Sequence, residues 1–216
     1  MFDAEQVSLA EDVLARCRAG GLRLVTAESC TGGLIGGCLT AIAGSSDVFD
    51  RGYVTYSNTA KTAMLAVPAD LLRRLGAVSE PVAIAMAEGA LAASGADLAV
   101  AVTGISGPGG GSAARPVGLV HFAASRRAAA SLHERHVFAG DRHAVRMQTV
   151  TAVLRLLSRV SAEAADPACT LGRRSGIGAY SCAARRSNAL TIRCTASLNS
   201  RPISFCNVFE RNSKSM

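Results

Sequence analysis

Apolar residues recur along the chain in patterns that predict alternating helices and strands. Between Leu9 and Ala19 they stand at helical spacing and stop at Gly20-Gly21, which predicts an amphipathic helix with a glycine stop. LRLVTA then reads as a first strand. ADLAVAVTGI is a continuous apolar run with β-branched residues, typical of a strand covered on both faces. RGYVTYS, by contrast, alternates as a half-buried strand does.

The remaining segments continue this alternation. Helices are predicted for TGGLIGGCLTAIA, whose small residues allow close packing on a sheet, for NTAKTAML, for PADLLRRLG and for Glu80–Ser94 after an N-cap at Ser79. GLVHFAAS and SLHERHVFA read as an antiparallel hairpin. A long helix with an apolar stripe follows Asp141, which is expected to cap it.

Strands that alternate with helices, with a hairpin late in the order, favour a single α/β domain. We expect a three-layer α-β-α arrangement with a mixed sheet over residues 1–165. Residues 166–216 show no sustained period and are rich in Ser, Arg and Cys, which predicts a disordered tail. Three interpretations of that tail stay open: a disordered appendage, an aberrant read-through or frameshifted end, and an RNA-binding arm.

Charge is distributed unevenly, and this limits what the net charge of +7 can mean. Residues 166–216 hold eight Lys/Arg against two Asp/Glu, so the rest of the chain is nearly neutral. A nucleic acid is therefore not expected as the main partner. The first residues, MFDAEQVSLAEDV, lack the bases and apolar block of a secretory signal, and no apolar run reaches the roughly 20 residues of a membrane span. These features predict a cytoplasmic protein without membrane contact.

The cysteine and histidine spacing does not indicate a metal site. Cys17, Cys30 and Cys38 lie in the body, and the four cysteines of the tail show no C-x-x-C spacing, so neither zinc nor a disulfide framework is expected. His133 and His136 in HERH lie three apart in a predicted strand. Their side chains should therefore point to opposite faces and not share a metal.

Two potential nucleophiles, Ser29 and Cys30, stand side by side in TAESCTGG, where a strand is expected to turn into a helix. Amide groups at such a corner favour an anion, including the oxyanion of acyl transfer. A serine needs a base, and Lys61, the only lysine before the tail, is the candidate, with Tyr56 able to relay or orient the proton. The alternatives are a helix cap for Ser29, a solvated helix face for Lys61 and simple burial for Cys30.

The glycine-rich segment TGISGPGGGS is a second candidate for binding. It lacks the Lys-Ser/Thr ending of a P-loop and leads into a strand, so no common nucleotide fingerprint is satisfied. Its amides and hydroxyls can still bind a phosphate. The alternative is a plain mobile loop.

Four ordered blocks, TAESCTGG, GSSDVFDRGYVTYSNTAK, GAVSEPVA and TGISGPGGGS followed by PVGLVHFA, together resemble the CinA C-terminal domain family, whose stand-alone members are nicotinamide-nucleotide amidases. The resemblance runs from about residue 5 to 163 and does not include the tail. It implies hydrolysis of the carboxamide of nicotinamide mononucleotide to nicotinate mononucleotide and ammonia, in pyridine nucleotide salvage. No metal or cofactor is implied, and the assembly would be a homodimer or larger homo-oligomer.

The resemblance also implies roles for individual residues. The nucleophile falls on Ser29, with Tyr56 and Lys61 as its partners. Amides around Cys30, Thr31, Gly32 and Gly33 are expected to hold the oxyanion, and the ribose phosphate is expected on Arg51 or Asn58 together with Thr103, Gly104, Ser106 and Gly107. The competing hypothesis from the same fold is a non-catalytic nucleotide-binding or regulatory module.

Overall fold

The computed structural model describes residues 1–127 and 129–162, which form an α/β domain around a five-stranded mixed sheet. The strands are β1 (Leu24–Glu28), β2 (Phe49–Val54), β3 (Leu98–Gly104), β4 (Leu119–Arg126) and β5 (Leu132–Val137). Their order across the sheet is β2-β1-β3-β4-β5. β1 pairs in parallel with β2 and β3, whereas β4 is antiparallel to both of its neighbours, so the predicted mixed sheet and late hairpin are confirmed.

Helices cover both faces of the sheet, as the continuous apolar strands predict. The helices are α1 (Ala4–Ala19), α2 (Leu34–Thr40), α3 (Asn58–Leu65), α4 (Ala69–Leu75), α5 (Glu80–Ser94) and α6 (Arg142–Ala162). One apolar core joins α1, α2 and α6 to the sheet, and a second joins α3, α4 and α5 to the opposite face. The three-layer architecture is therefore confirmed for the described residues.

Local chemistry explains where the helices begin. α1 starts at Ala4, earlier than its apolar spacing predicts, because Asp3 and Gln6 form a reciprocal capping box. α2 is shorter than predicted and starts at Leu34, because Gly32 and Gly33 have positive φ and keep the preceding residues out of the helix. The Asp141 carboxylate accepts from the Ala144 amide at 2.8 Å, so the predicted cap of α6 is confirmed.

Topology places the ends of three strands together. β1, β2 and β3 are parallel, so their carboxyl ends meet at one edge of the sheet, where open α/β folds bind their ligands. The helices of the described residues include none long and apolar enough to cross a membrane. The predicted disorder of 166–216 and the boundary at 165 lie outside the described residues.

Candidate active site

The corner after β1 holds the first candidate residue. Ser29 follows directly on β1, is 8% exposed, and its amide donates to the Val102 carbonyl at 3.0 Å, which ties it to the neighbouring strand β3. The chain then turns sharply, because the Gly32 amide donates back to the Ser29 carbonyl at 3.1 Å. The Ser29 hydroxyl is thereby held on a rigid turn at the carboxyl edge of the sheet.

Lys61 on α3 reaches this serine. Its Nζ lies 3.0 Å from Ser29 Oγ, 2.8 Å from the Thr55 carbonyl oxygen and 3.5 Å from the Tyr56 carbonyl oxygen. The side chain is only 1% exposed, and no salt bridge among residues 1–127 and 129–162 involves it. Burial therefore lowers the pKa of the Lys61 ammonium from its ordinary value, which favours the neutral amine. The alternative of a solvated helix face does not hold for Lys61.

Ser29 and Lys61 open into a cavity of about 280 Å³ at the carboxyl edge of the sheet. Its walls come from the β1–α2 corner, the start of α3, the end of β3, the glycine-rich segment and the start of α6. The lining residues are Ser29, Cys30, Tyr56, Lys61, Ala77, Val78, Thr103, Gly104, Ile105, Ser106, Gly107, Gly109, Gly110 and Arg142. The glycine-rich segment therefore forms one wall of this cavity.

The structure brings most of the predicted site residues together, but not all. Eight of them line the cavity: Ser29, Cys30, Tyr56, Lys61, Thr103, Gly104, Ser106 and Gly107. Thr31, Gly32 and Gly33 lie behind the corner and are not part of the lining. Arg51 pairs with Asp50 on β2, and Asn58 lines a separate hollow between α3 and α4. Neither of these two phosphate candidates contributes to the cavity.

Tyr56 lines the cavity in a different way from the one expected. Its side chain is 58% exposed, and its hydroxyl accepts a hydrogen bond from Arg142 Nη2 at 2.8 Å. Arg142 Nη1 also donates to the Gly107 carbonyl at 2.9 Å. Tyr56 meets Lys61 through its backbone carbonyl, so its hydroxyl lies on the Arg142 side of the cavity in this structure.

Cys30 is a poor nucleophile in this setting. Burial raises the pKa of its thiol to about 11, which outweighs the lowering expected near a helix N-terminus. The thiol also lies close to Gly104 at the end of β3, since a Cβ added there would come within 3.1 Å of Cys30 Sγ. The same Cβ would lie 2.8 Å from the Leu119 carbonyl oxygen and 2.8 Å from Val120 Cγ2 on β4, so the close approach of both neighbours explains the need for glycine. Nearby, Ser106 Oγ is buried without a hydrogen-bond partner among the described residues.

The sequence does not point to Arg142 or Glu28, which both contribute to the site. Arg142 lies on α6, far along the chain from the other candidates, and no local pattern marks it. Glu28, the last residue of β1, is buried, and its carboxylate accepts from the Thr31 hydroxyl at 2.7 Å and from three amides at 2.8–3.1 Å, those of Gly33, Ile35 and Gly36. A buried glutamate inside TAESCTGG was the available signal, because buried carboxylates require such partners.

The histidines of HERH point to opposite faces of the sheet, as predicted. His133 Nε2 lies 2.9 Å from His121 Nδ1 on the side of α5, whereas His136 stacks between Phe122 and Phe138 on the other side. Residues 1–127 and 129–162 contain no group of three or more His, Cys, Asp or Glu side chains placed to hold a metal ion.

Similarity to known proteins extends over the whole of this site. Residues 6–161 match the family model of the CinA C-terminal domain. Nicotinamide-nucleotide amidohydrolase PncC of Escherichia coli strain K12 is 48% identical over 157 residues, which cover 73% of this chain and 95% of that protein. The solved structure of the competence/damage inducible protein CihA from Agrobacterium tumefaciens has a TM-score of 0.73 at 49% identity and covers 74% of this chain and 98% of that one. The chain belongs to the CinA C-terminal domain family.

Proposed function

We propose that this protein is a nicotinamide-nucleotide amidase that hydrolyses the carboxamide of nicotinamide mononucleotide, with Ser29 as nucleophile and Lys61 as general base. The observation that supports this most directly is the 3.0 Å contact between Lys61 Nζ and Ser29 Oγ at the wall of a cavity. The name of the 48% identical Escherichia coli relative supports the choice of substrate. The products, nicotinate mononucleotide and ammonia, suit a role in pyridine nucleotide salvage.

The surroundings of Lys61 suit a base. A neutral amine has two N–H groups and one lone pair, and the carbonyl oxygens of Thr55 and Tyr56 accept the two N–H groups. The lone pair then points to the Ser29 hydroxyl, which can donate to it. Because burial lowers the pKa of Lys61, a larger fraction of its amine is neutral at a given pH than for an exposed lysine, which suits a base.

The reaction follows from this arrangement. Ser29 Oγ attacks the carboxamide carbon while Lys61 takes the hydroxyl proton, and negative charge develops on the carboxamide oxygen. Lys61 then gives a proton to the nitrogen, the C–N bond breaks and ammonia leaves an acyl-Ser29 ester. A water attacks the ester with Lys61 as base. The C–Oγ bond breaks, the carboxylic acid of the product forms, and the proton returns to Ser29. Metal chemistry is not needed for any of these steps.

We place the substrate phosphate on Arg142. Apart from the amine of Lys61, its guanidinium is the only basic group that lines this cavity among the described residues. It lies between the Tyr56 hydroxyl and the Gly107 carbonyl, both neutral partners, so its charge is not neutralised by a carboxylate there. A planar guanidinium can bind two phosphate oxygens at once. Arg142 replaces Arg51 and Asn58 as the phosphate ligand in this proposal.

The first test measures ammonia release from nicotinamide mononucleotide by the full chain with a chelator present. Ser29→Ala and Lys61→Met are each expected to lower kcat by roughly 10³-fold or more, because the nucleophile or its base is lost. Ser45→Ala is the matched control, since Ser45 is also 8% exposed but lies in the turn before β2. For the wild type, kcat should rise with pH as Lys61 loses its proton.

Other outcomes would change the assignment. If the folded wild type binds the mononucleotide without releasing ammonia, the non-catalytic nucleotide-binding module becomes the better description. If Ser29→Ala turns over normally, the nucleophile is wrong. If the chelator abolishes turnover, the metal-independent mechanism is wrong.

The phosphate assignment has its own test. Arg142→Gln is expected to lower kcat/KM for nicotinamide mononucleotide by about 10- to 100-fold, the effect of one charged hydrogen-bonded contact. Turnover of nicotinamide riboside, which lacks the phosphate, should change by less than about threefold. Arg74→Gln, an exposed arginine on α4, serves as control. Equal losses for both substrates would remove Arg142 from the phosphate and give it a structural role.

A further inference from the structure

The backbone that follows the nucleophile is held by an arginine from another layer of the fold. Arg146 on α6 donates from Nε to the Cys30 carbonyl at 3.1 Å and from Nη2 to the Thr31 carbonyl at 2.7 Å. One guanidinium therefore binds the Cys30–Thr31 and Thr31–Gly32 peptide groups, which follow the Ser29–Cys30 peptide. Its planar fork fixes their orientation in a way that a single donor could not.

Most backbone amides of the corner between β1 and α2 already donate a hydrogen bond within the protein. The Glu28 carboxylate accepts from the amides that begin α2, and the Gly32 amide donates to the Ser29 carbonyl. The hydrogen bonds within residues 1–127 and 129–162 include none from the amides of Cys30 and Thr31. The expected set of oxyanion donors, Cys30 to Gly33, is therefore reduced to Cys30, because Thr31 does not line the cavity. Both residues are buried, and an unpaired buried amide is costly unless a ligand completes it.

Peptide geometry links Arg146 to one of these free amides. In a trans peptide the C=O and the following N–H point in opposite directions. The Thr31 carbonyl, which accepts from Arg146 Nη2, shares its peptide with the Gly32 amide, and that amide donates to the Ser29 carbonyl. The Ser29 carbonyl in turn shares its peptide with the Cys30 amide, so Arg146 fixes the orientation of the Cys30 N–H through this turn. Hydrogen bonds in such a chain polarise one another, which makes this N–H a stronger donor.

We propose that Arg146 is a positioning residue, which holds the turn after Ser29 so that the free amide of Cys30 stabilises the oxyanion. This inference rests on the proposed amidase function. The oxyanion exists only after Ser29 has attacked, so the contribution of Arg146 belongs to the transition state and not to substrate binding. Glu28 supports the same turn and the start of α2, because its carboxylate accepts hydrogen bonds from four donors there.

The test separates kcat from KM for Arg146→Met and Arg146→Lys. Arg146→Met is expected to lower kcat about 100-fold with KM within about twofold, since loss of one oxyanion donor typically costs 10²- to 10³-fold. Arg146→Lys keeps the charge but cannot bind both carbonyls at once, so kcat should recover to about tenfold below wild type. The pH profile of kcat should keep its shape, because the Lys61–Ser29 pair is unchanged. Arg155→Met, an exposed arginine of the same helix paired with Glu5, is the control.

The outcomes distinguish the two levels of the proposal. If wild type releases no ammonia, the proposed function fails and the inference fails with it. If the wild type is active but Arg146→Met keeps kcat within about threefold of wild type, the inference alone is overturned, whether or not its KM changes. If Arg146→Met does not fold, Arg146→Lys becomes the deciding variant. A wild-type kcat for Arg146→Lys would then overturn the proposal.

Discussion

Burial acts on individual ionisable side chains of this protein in the same direction, toward the uncharged form. It lowers the pKa of Lys61, raises the pKa of Cys30 to about 11 and lowers the pKa of His121 to about 4. The same physical cause makes Lys61 a better base and Cys30 a worse nucleophile. The residue types alone left both possibilities open, and it is the depth of each side chain that decides between them.

His121 provides a test of this effect on stability. Burial, together with His133, Arg135 and Arg115, lowers its pKa to about 4, while Glu80 opposes the shift. In the unfolded chain the His121 imidazole has a pKa near 6.5 and binds a proton below that pH. The folded state does not bind this proton until the pH approaches 4, so the free energy of unfolding should fall as the pH drops from about 6.5 towards 4. We expect a loss of about 1–2 kcal/mol between pH 7.5 and 5 from this group.

Urea unfolding at the two pH values measures this loss. His121→Gln should reduce the difference by about that amount, because the titrating group is gone. His143→Gln, an exposed histidine on α6, should leave it unchanged. An acid loss of the same size in His121→Gln and wild type would assign the pH dependence to other groups.

At the scale of elements, the close approach of α3 to α5 depends on one glycine. A Cβ added to Gly89 would lie 2.0 Å from the Leu65 carbonyl oxygen at the end of α3, so the two helices would have to separate. Gly89→Ala is expected to destabilise the fold by about 2 kcal/mol or more. Gly37→Ala on α2 meets nothing closer than Phe2 at 3.8 Å and should stabilise by about 0.5–1 kcal/mol.

Denaturant unfolding of the two variants checks the sign of each change. Because α3 carries Lys61, Gly89→Ala should also lower kcat, whereas Gly37→Ala should not. The free energy of unfolding should fall for Gly89→Ala and rise for Gly37→Ala. This difference distinguishes the steric effect from helix propensity, which favours alanine at both positions. A stabilised Gly89→Ala would mean that α3 and α5 can repack without loss.

The helices and strands can be predicted from the sequence more readily than the contacts between them. Hydrophobic period and caps are local, and the predicted helices Asn58–Leu65 and Glu80–Ser94 agree with α3 and α5. The sequence indicates Ser29 and Lys61 as separate candidates. The parallel pairing of β1 with β2 positions α3 and so brings Lys61 Nζ to 3.0 Å from Ser29 Oγ. The sequence does not indicate Arg142 and Arg146, because the hydrophobic periodicity of α6 shows which face of the helix is buried. It does not show which loop that helix contacts.

At the scale of the whole molecule, the described core and the family match coincide in extent. Buried apolar residues of the two cores run from Ala10 to Val160, and the family model spans residues 6–161. Residues 166–216, by contrast, hold a net charge of +6, from eight bases and two acids. We therefore expect catalysis and polyanion affinity to separate along the chain.

Removal of residues 166–216 tests this separation. The truncated chain should keep kcat/KM for nicotinamide mononucleotide within about twofold, because every group assigned to the site lies before residue 147. Any affinity of the full chain for single-stranded RNA should fall steeply with salt and disappear on truncation, since it would come from phosphate contacts by the basic tail. If truncation instead abolishes turnover, or RNA affinity persists without the tail, the assignment of catalysis to the first 165 residues and of positive charge to the rest is wrong.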